Sequence, residues 1–111
     1  SDCLFRIQVN IYVGEEAAKK RYAVIQKIRR GEKSRLVYVI TPPSGGNNIL
    51  DIYQAAEFFH PHYQERDPLV LGVGLGYEEA LEVAGKIVGE MYRTTGGFSL
   101  ETFLAQKDSE R

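Results

Sequence analysis

The sequence lacks the features that mark a secreted or a membrane-embedded chain. Its 111 residues include a single cysteine, Cys3, so no disulfide can form within the chain. It has no run of about 18 apolar residues, the length that a transmembrane helix needs, and its N-terminus leads almost directly into a strand pattern, which predicts no signal peptide. These absences predict a soluble protein of a reducing, cytoplasmic compartment with no membrane partner.

Residue types suited to catalysis or metal binding are also sparse. The two histidines, His60 and His62, flank a proline at a spacing that matches no strong zinc pattern, so they are weak candidates for metal ligands. Ser44 is not surrounded by a nucleophile-elbow pattern and has no evident base. The sequence therefore predicts no catalytic residue, no cofactor and no assigned metal site, and it favours a non-catalytic role over an enzyme.

The composition is that of one globular domain. Hydrophobic residues make up 43% of the chain and charged residues 26%, as in ordinary soluble domains. A chain of this length has room for one core. We therefore interpret residues 1–111 as a single domain, with residues 105–111 as a frayed tail.

The first strand–helix unit spans residues 4–30. Residues 4–13 alternate apolar and polar side chains, which predicts a strand with one polar face, placed either at a sheet edge or under another subunit. Residues 15–30 then follow helical spacing. The expected buried stripe of this helix consists of Ala18, Tyr22, Ile25 and Ile28. The alternative for residues 21–41 is a hairpin across the RRGEKS turn.

Two further units follow in the same order. Residues 36–41 are apolar and rich in β-branched side chains, which predicts a buried strand, and Asn48 is a candidate cap for a second helix that ends before Pro61. Residues 69–73 form an apolar run without alternation, which predicts a strand covered on both faces. Residues 77–92 predict an amphipathic helix.

Three such units predict an α/β fold of order β-α-β-α-β-α around a mainly parallel three-stranded sheet. A short C-terminal helix over residues 99–106, capped by Ser99, completes the predicted domain. The alternative is a two-layer α+β arrangement with one open sheet face.

A parallel sheet would bring the glycine-rich loops that open the helices to one edge, where helix N-termini present free N–H groups to anions. The predicted ligand-binding residues lie in two of these loops: Ser44, Gly45, Gly46, Asn47, Gly74 and Gly76. The glycines do not form the GxGxxG motif, since Tyr77 replaces the last glycine, and no GxxxxGK[ST] motif is present. No particular ligand is therefore assigned.

Gly85 and Gly89 lie one turn apart inside the helix predicted over residues 77–92. Each costs about 1 kcal/mol of helix propensity relative to alanine. Close approach of this helix to the sheet or to another helix would compensate for that cost.

Basic residues cluster in the first third of the chain. Eight of the fourteen Lys and Arg residues lie between Lys19 and Arg35, whereas residues 36–111 carry eleven acidic and five basic residues. A solvated helix face accounts for such a run, and an acidic partner or self-association of unlike faces is the functional alternative. Nucleic acid is a disfavoured partner, because the sequence pI is near 6.1 and no nucleic-acid-binding motif is present.

These patterns predict a small bacterial-type α/β protein that serves as a binding or interaction module and self-associates as a homodimer. The alternative function is binding of a phosphate-bearing or other anionic small molecule at the glycine-rich loops, with or without catalysis.

Overall fold

A mixed four-stranded sheet lies at the centre of the molecule, and helices cover both of its faces. The computed structural model describes residues 6–59 and 69–109, without the side chains of Arg6, Gln8 and Val9. The described strands are β1 (Arg6–Val13), β2 (Val37–Thr41), β3 (Asp51–Gln54) and β4 (Leu69–Leu75). The described helices are α1 (Glu15–Lys19), α2 (Arg21–Arg29), α3 (Ala55–Phe58), α4 (Tyr77–Thr95) and α5 (Leu100–Ser109).

The strand order is β1-β4-β2-β3, and the pairing is mixed. β1 and β4 are parallel, with a shift of register between Ile7 and Tyr12, whereas β2 is antiparallel to both β4 and β3. The prediction of a mainly parallel three-stranded sheet is therefore not confirmed. β1 lies at a sheet edge, which is one of the two positions that its polar face predicts.

β3 accounts for most of the difference from the predicted topology. The helix predicted after Asn48 is wrong over its first half, because residues 51–54 form a strand in which Ile52 pairs with Ile40 and Tyr53 with Val39. β-Branched and aromatic side chains suit this conformation. The chain thus returns as a hairpin after the Pro-Pro-Ser-Gly-Gly loop, and helix begins only at Ala55.

The helix predicted over residues 15–30 is broken into two. Lys20 leaves helical geometry, with φ −126° and ψ 34°, and separates α1 from α2. The predicted buried stripe is wrong at Ala18 and at Tyr22, which is 79% exposed, whereas Ile28 is buried as predicted. The hairpin alternative for residues 21–41 is not observed.

Each face of the sheet has its own apolar core. The first lies under α1, α2 and α3, and its buried members include Ala17, Val24, Ile28, Val39, Phe58, Phe59 and Val73. The second lies under α4 and α5, and its buried members are Ile40, Leu71, Ala80, Val83, Ile87, Met91 and Phe103. The alternative with one open sheet face is therefore not observed.

α4 and α5 form the layer over the second core. A side chain at Gly74 would place its Cβ 2.8 Å from the backbone nitrogen of Ala80, so glycine here allows α4 to lie directly on β4. The Ser99 Oγ accepts the N–H of Thr102 at 3.3 Å, which confirms the predicted cap. α5 continues to Ser109, three residues beyond its predicted end, and the predicted fraying of residues 105–111 stays a prediction. None of the described helices combines the length and the apolar character needed to span a membrane.

Candidate functional site

The structure places the predicted ligand-binding residues at two opposite ends of the sheet, measured along its strands. Because β2 is antiparallel to β4, the loop at residues 42–50, which carries Ser44 to Asn47, lies at the end where β4 begins. Gly76 lies at the other end, where β1 and β4 finish. Gly74 lies within β4 and under Ala80 rather than in the loop. The six residues therefore do not form one site, and ligand binding at either loop stays a prediction.

At the end of the sheet that carries Gly76, the carboxylate of Glu79 lies against the N-terminus of α1. Its oxygens accept the backbone N–H groups of Glu16 at 2.6 Å, Ala17 at 3.1 Å and Leu75 at 2.7 Å. The N-cap residue of α1, Gly14, has no side chain to cap this helix. Glu79 of α4 therefore does what an N-cap side chain does within one helix, and it joins α1 to the end of β4.

This carboxylate is enclosed by the chain. Glu79 is 9% exposed, and a Cβ added at Gly14 would lie 2.4 Å from its side chain. Burial acts to raise the pKa of Glu79, but the three backbone N–H groups outweigh that effect and hold the pKa below its usual value. The Glu79 side chain thus fills the place where an external anion could bind the N-terminus of α1. We interpret this end of the sheet as part of the fold and not as a ligand site.

At the opposite end of the sheet, Asp51 holds the loop at residues 42–50 in a similar way. Its carboxylate accepts the N–H of Ser44 at 2.8 Å, the side-chain amide of Asn48 at 3.2 Å and the hydroxyl of Tyr53 at 3.1 Å. Burial acts to raise the pKa of Asp51, but these donors, with Ser44 first, lower it below its usual value. The three residues after Ser44 remain exposed.

Metal binding receives no support within residues 6–59 and 69–109, where no group of three His, Cys, Asp or Glu residues is placed to hold an ion. The two weak candidate ligands, His60 and His62, lie outside the described residues. The hypothesis that they bind a metal is therefore untested.

A polar cluster joins β1 to the two helices above it. The Tyr12 hydroxyl donates to Glu90, and the Nζ of Lys107 lies 3.5 Å from the same carboxylate and 5.1 Å from the Tyr12 ring centroid. Burial, followed by the contact with Glu90, raises the pKa of Tyr12 well above its usual value. The phenol therefore keeps its proton, and its hydrogen bond to Glu90 joins β1 to α4.

Two surfaces carry apolar side chains that the fold leaves exposed. The first is the outer stripe of α4, which we define as Tyr77, Leu81, Gly85 and Tyr92. Its three large side chains are 53%, 47% and 57% exposed, and Phe98 stacks on Tyr92 at a centroid distance of 5.3 Å while remaining 52% exposed.

The second surface is a groove of about 560 Å³ between α2 and the edge strand β1. We call it the β1–α2 groove. Its lining includes Ile7, Ile11, Arg21, Tyr22, Ile25 and Arg29.

Sequence reasoning missed both surfaces, although each left a signal. Tyr77, Leu81 and Tyr92 recur at positions i, i+4 and i+15 of the helix, which is a second apolar stripe beside the buried one. Helical spacing places Tyr22 and Ile25 on the predicted buried stripe, because an apolar residue on a helix does not reveal whether it faces the sheet.

Comparison with known proteins adds no family to this description. No protein-family model matched the chain, and no similar protein was found among the curated proteins or among the solved structures.

Proposed function

We propose that this protein is a non-catalytic binding module that self-associates as a homodimer, with the outer stripe of α4 from each copy forming the interface. The observation that carries this proposal is the group of half-exposed apolar side chains on one side of a single helix.

The size of the exposed apolar surface supports the proposal. Tyr77, Leu81 and Tyr92, extended by Phe98, are each about half exposed. Apolar patches on a protein surface are typical of interaction sites. Fully burying one such side chain contributes about 1.5–3 kcal/mol, so joining two copies of the patch favours association.

The glycines of α4 support a helix as the partner. Gly85 lies between Leu81 and Tyr92 on the outer stripe, and Gly89 follows one turn later. Apart from the neighbouring residues of α4 itself, no described residue lies within 4 Å of a Cβ added at either glycine. Close packing within the described chain therefore does not account for their cost of about 1 kcal/mol each, whereas close approach of a second helix would.

The stripe is also complementary to itself. In an antiparallel pair of α4 helices with the two-fold axis near Gly85, Tyr92 of one copy packs against Tyr77 and Leu81 of the other. The same arrangement brings Arg93 near Glu78, two exposed residues of opposite charge. A two-fold interface requires one patch to fit itself in this way.

The experiment is a sedimentation-equilibrium measurement of molecular mass on the full chain and on two variants. We expect the unmodified chain to approach twice its monomer mass of 12.5 kDa as concentration rises. Tyr92→Lys should remain monomeric, because it places a charge in the interface. Tyr22→Lys is the matched control: this tyrosine is 79% exposed on α2, away from the stripe, and the variant should dimerise like the parent. A parent that is monomeric at millimolar concentration contradicts the proposal.

The anionic small-molecule alternative receives less support from the arrangement. The two glycine-rich loops that would bind the anion lie at opposite ends of the sheet. Glu79 already accepts the N–H groups that an anion would need at the start of α1.

A further inference from the structure

We propose that the β1–α2 groove binds an extended, acidic segment of a partner protein, which pairs with β1 as an added strand and places alternate apolar side chains against α2.

The position of β1 makes strand addition feasible. β1 pairs only with β4 in the described sheet, and no described strand lies on its outer side. Where β1 pairs regularly with β4, at its two ends, alternate residues therefore present backbone donors and acceptors along the outer side. Extended peptides bind to such edges through main-chain hydrogen bonds, and adjacent pockets for alternate side chains provide specificity.

The groove supplies those pockets on one face of the sheet. Ile7 and Ile11 of β1 are half-buried, and Ile25 of α2 is half-buried opposite them. Tyr22 stands at the rim and is 79% exposed. A strand added to β1 would direct every second side chain toward this apolar lining.

Charge specifies the chemistry of the bound segment. Arg21 and Arg29 line the groove, and α2 itself contains no acidic residue. Within the described part of the chain no carboxylate pairs with either arginine, since the ion pairs near α2 join Lys19 to Glu16 and Arg30 to Glu32. Two guanidinium groups that have no carboxylate partner among the described residues, placed beside an apolar groove, fit carboxylates on the incoming segment.

The spacing of the arginines predicts a pattern. Arg21 and Arg29 are eight residues apart on one helix, which corresponds to about 12 Å along its axis. Four residues of an extended strand span about 13 Å. A segment with two acidic residues four positions apart, and an apolar residue midway between them, therefore matches the groove.

A second copy of this chain fits the groove less well than such a segment. Pairing β1 with its own symmetry mate would bring two basic α2 helices together, which is unfavourable. The register shift between Ile7 and Tyr12 also twists the edge, a feature that opposes sheet-to-sheet pairing of rigid copies while a peptide can adapt to it.

The test is binding of the full chain to an array of octapeptides in three classes. The first class alternates Val, Ile, Leu or Phe with Thr, and two Glu residues four positions apart replace apolar residues, so that an apolar residue lies midway between them. The second replaces each Glu by Lys, and the third has the composition of the first in scrambled order. We expect selective binding of the first class, weakened by added salt, and shifts of the Ile7, Ile11 and Ile25 methyl signals when a bound peptide is titrated.

Charge reversal separates this site from general attraction to a basic protein. The double variant Arg21→Glu/Arg29→Glu should weaken binding of the first class by about tenfold or more. The matched control Lys33→Glu/Lys86→Glu reverses two exposed charges outside the groove and should bind like the parent. Thermal unfolding of both variants checks that each is folded.

Three outcomes would overturn the proposal. They are equal binding of the scrambled class, binding that Arg21→Glu/Arg29→Glu leaves unchanged in a folded protein, and binding to none of the classes. Displacement of the peptide by single-stranded DNA at equal charge concentration, without any preference for the alternating pattern, would assign the basic helix to nucleic acid instead.

Discussion

The end of the sheet beside Glu79 and the outer side of α4 belong to the same strand–helix unit. They differ in whether contacts within the chain account for the groups that they carry. At this end, the Glu79 carboxylate accepts three backbone N–H groups, two from the start of α1 and one from the end of β4. On the outer side of the helix, large apolar side chains remain about half exposed although Tyr77 packs against Tyr38 and Tyr92 against Phe98, and no packing contact accounts for the two glycines among the described residues. This difference is the reason for interpreting the Glu79 end of the sheet as part of the fold and for proposing the outer side of α4 as the interface.

The largest change in the free energy of unfolding is expected from removing the Glu79 carboxylate. Glu79→Ala leaves the N–H groups of Glu16, Ala17 and Leu75 without their acceptor, and we expect it to lower the free energy of unfolding by about 3 kcal/mol. Urea denaturation measures this change. The control is Glu78→Ala, an exposed acid in the same helical turn, for which a loss below about 1 kcal/mol is expected. Equal losses in the two variants would contradict the assigned role of Glu79.

A smaller effect is expected from protonating the same carboxylate. Since the folded-state pKa of Glu79 is lowered from its ordinary value of 4.5, its contribution to stability is complete above about pH 4.5 and is lost as the pH falls through the folded-state pKa. Glu79→Gln should therefore show a shallower loss of stability with acid than the parent. Asp51, whose pKa is also lowered, should preserve part of the slope. Parallel curves for parent and variant would exclude Glu79 as a source of the acid sensitivity.

The elements with strong local patterns were predictable from the sequence. β1, β2, β4 and α4 each follow a periodicity or an apolar run that one structure fits best. β3 could not be predicted, because Ile49, Ile52, Tyr53, Ala56 and Phe59 fit helical spacing, and only pairing of residues 51–54 with β2 decides for a strand. Once β3 returns as a hairpin and β2 runs against β4, the two glycine-rich loops can no longer share an edge.

The role of Glu79 could not be predicted for a related reason. Two of its three donors lie 62 and 63 residues away in the sequence, so no local pattern connects them. Its place in the first turn of a helix predicts only a favourable interaction with that helix. α2 meets the sheet through Val24 and Ile28, and Tyr22 lies about 120° from Ile28 around the helix axis, on the surface.

The smallest expected change in stability provides the most direct test of the proposed dimer, because its sign depends on whether a partner helix is present. Gly85→Ala adds a methyl group where no described residue outside the neighbouring part of α4 lies within 4 Å. In the monomeric Tyr92→Lys background it should raise the free energy of unfolding by about 0.5–1 kcal/mol through helix propensity. In the otherwise unmodified chain the same methyl group should separate the paired helices and raise the dimer dissociation constant by about tenfold. A dissociation constant that Gly85→Ala leaves unchanged would contradict α4 pairing as the basis of self-association.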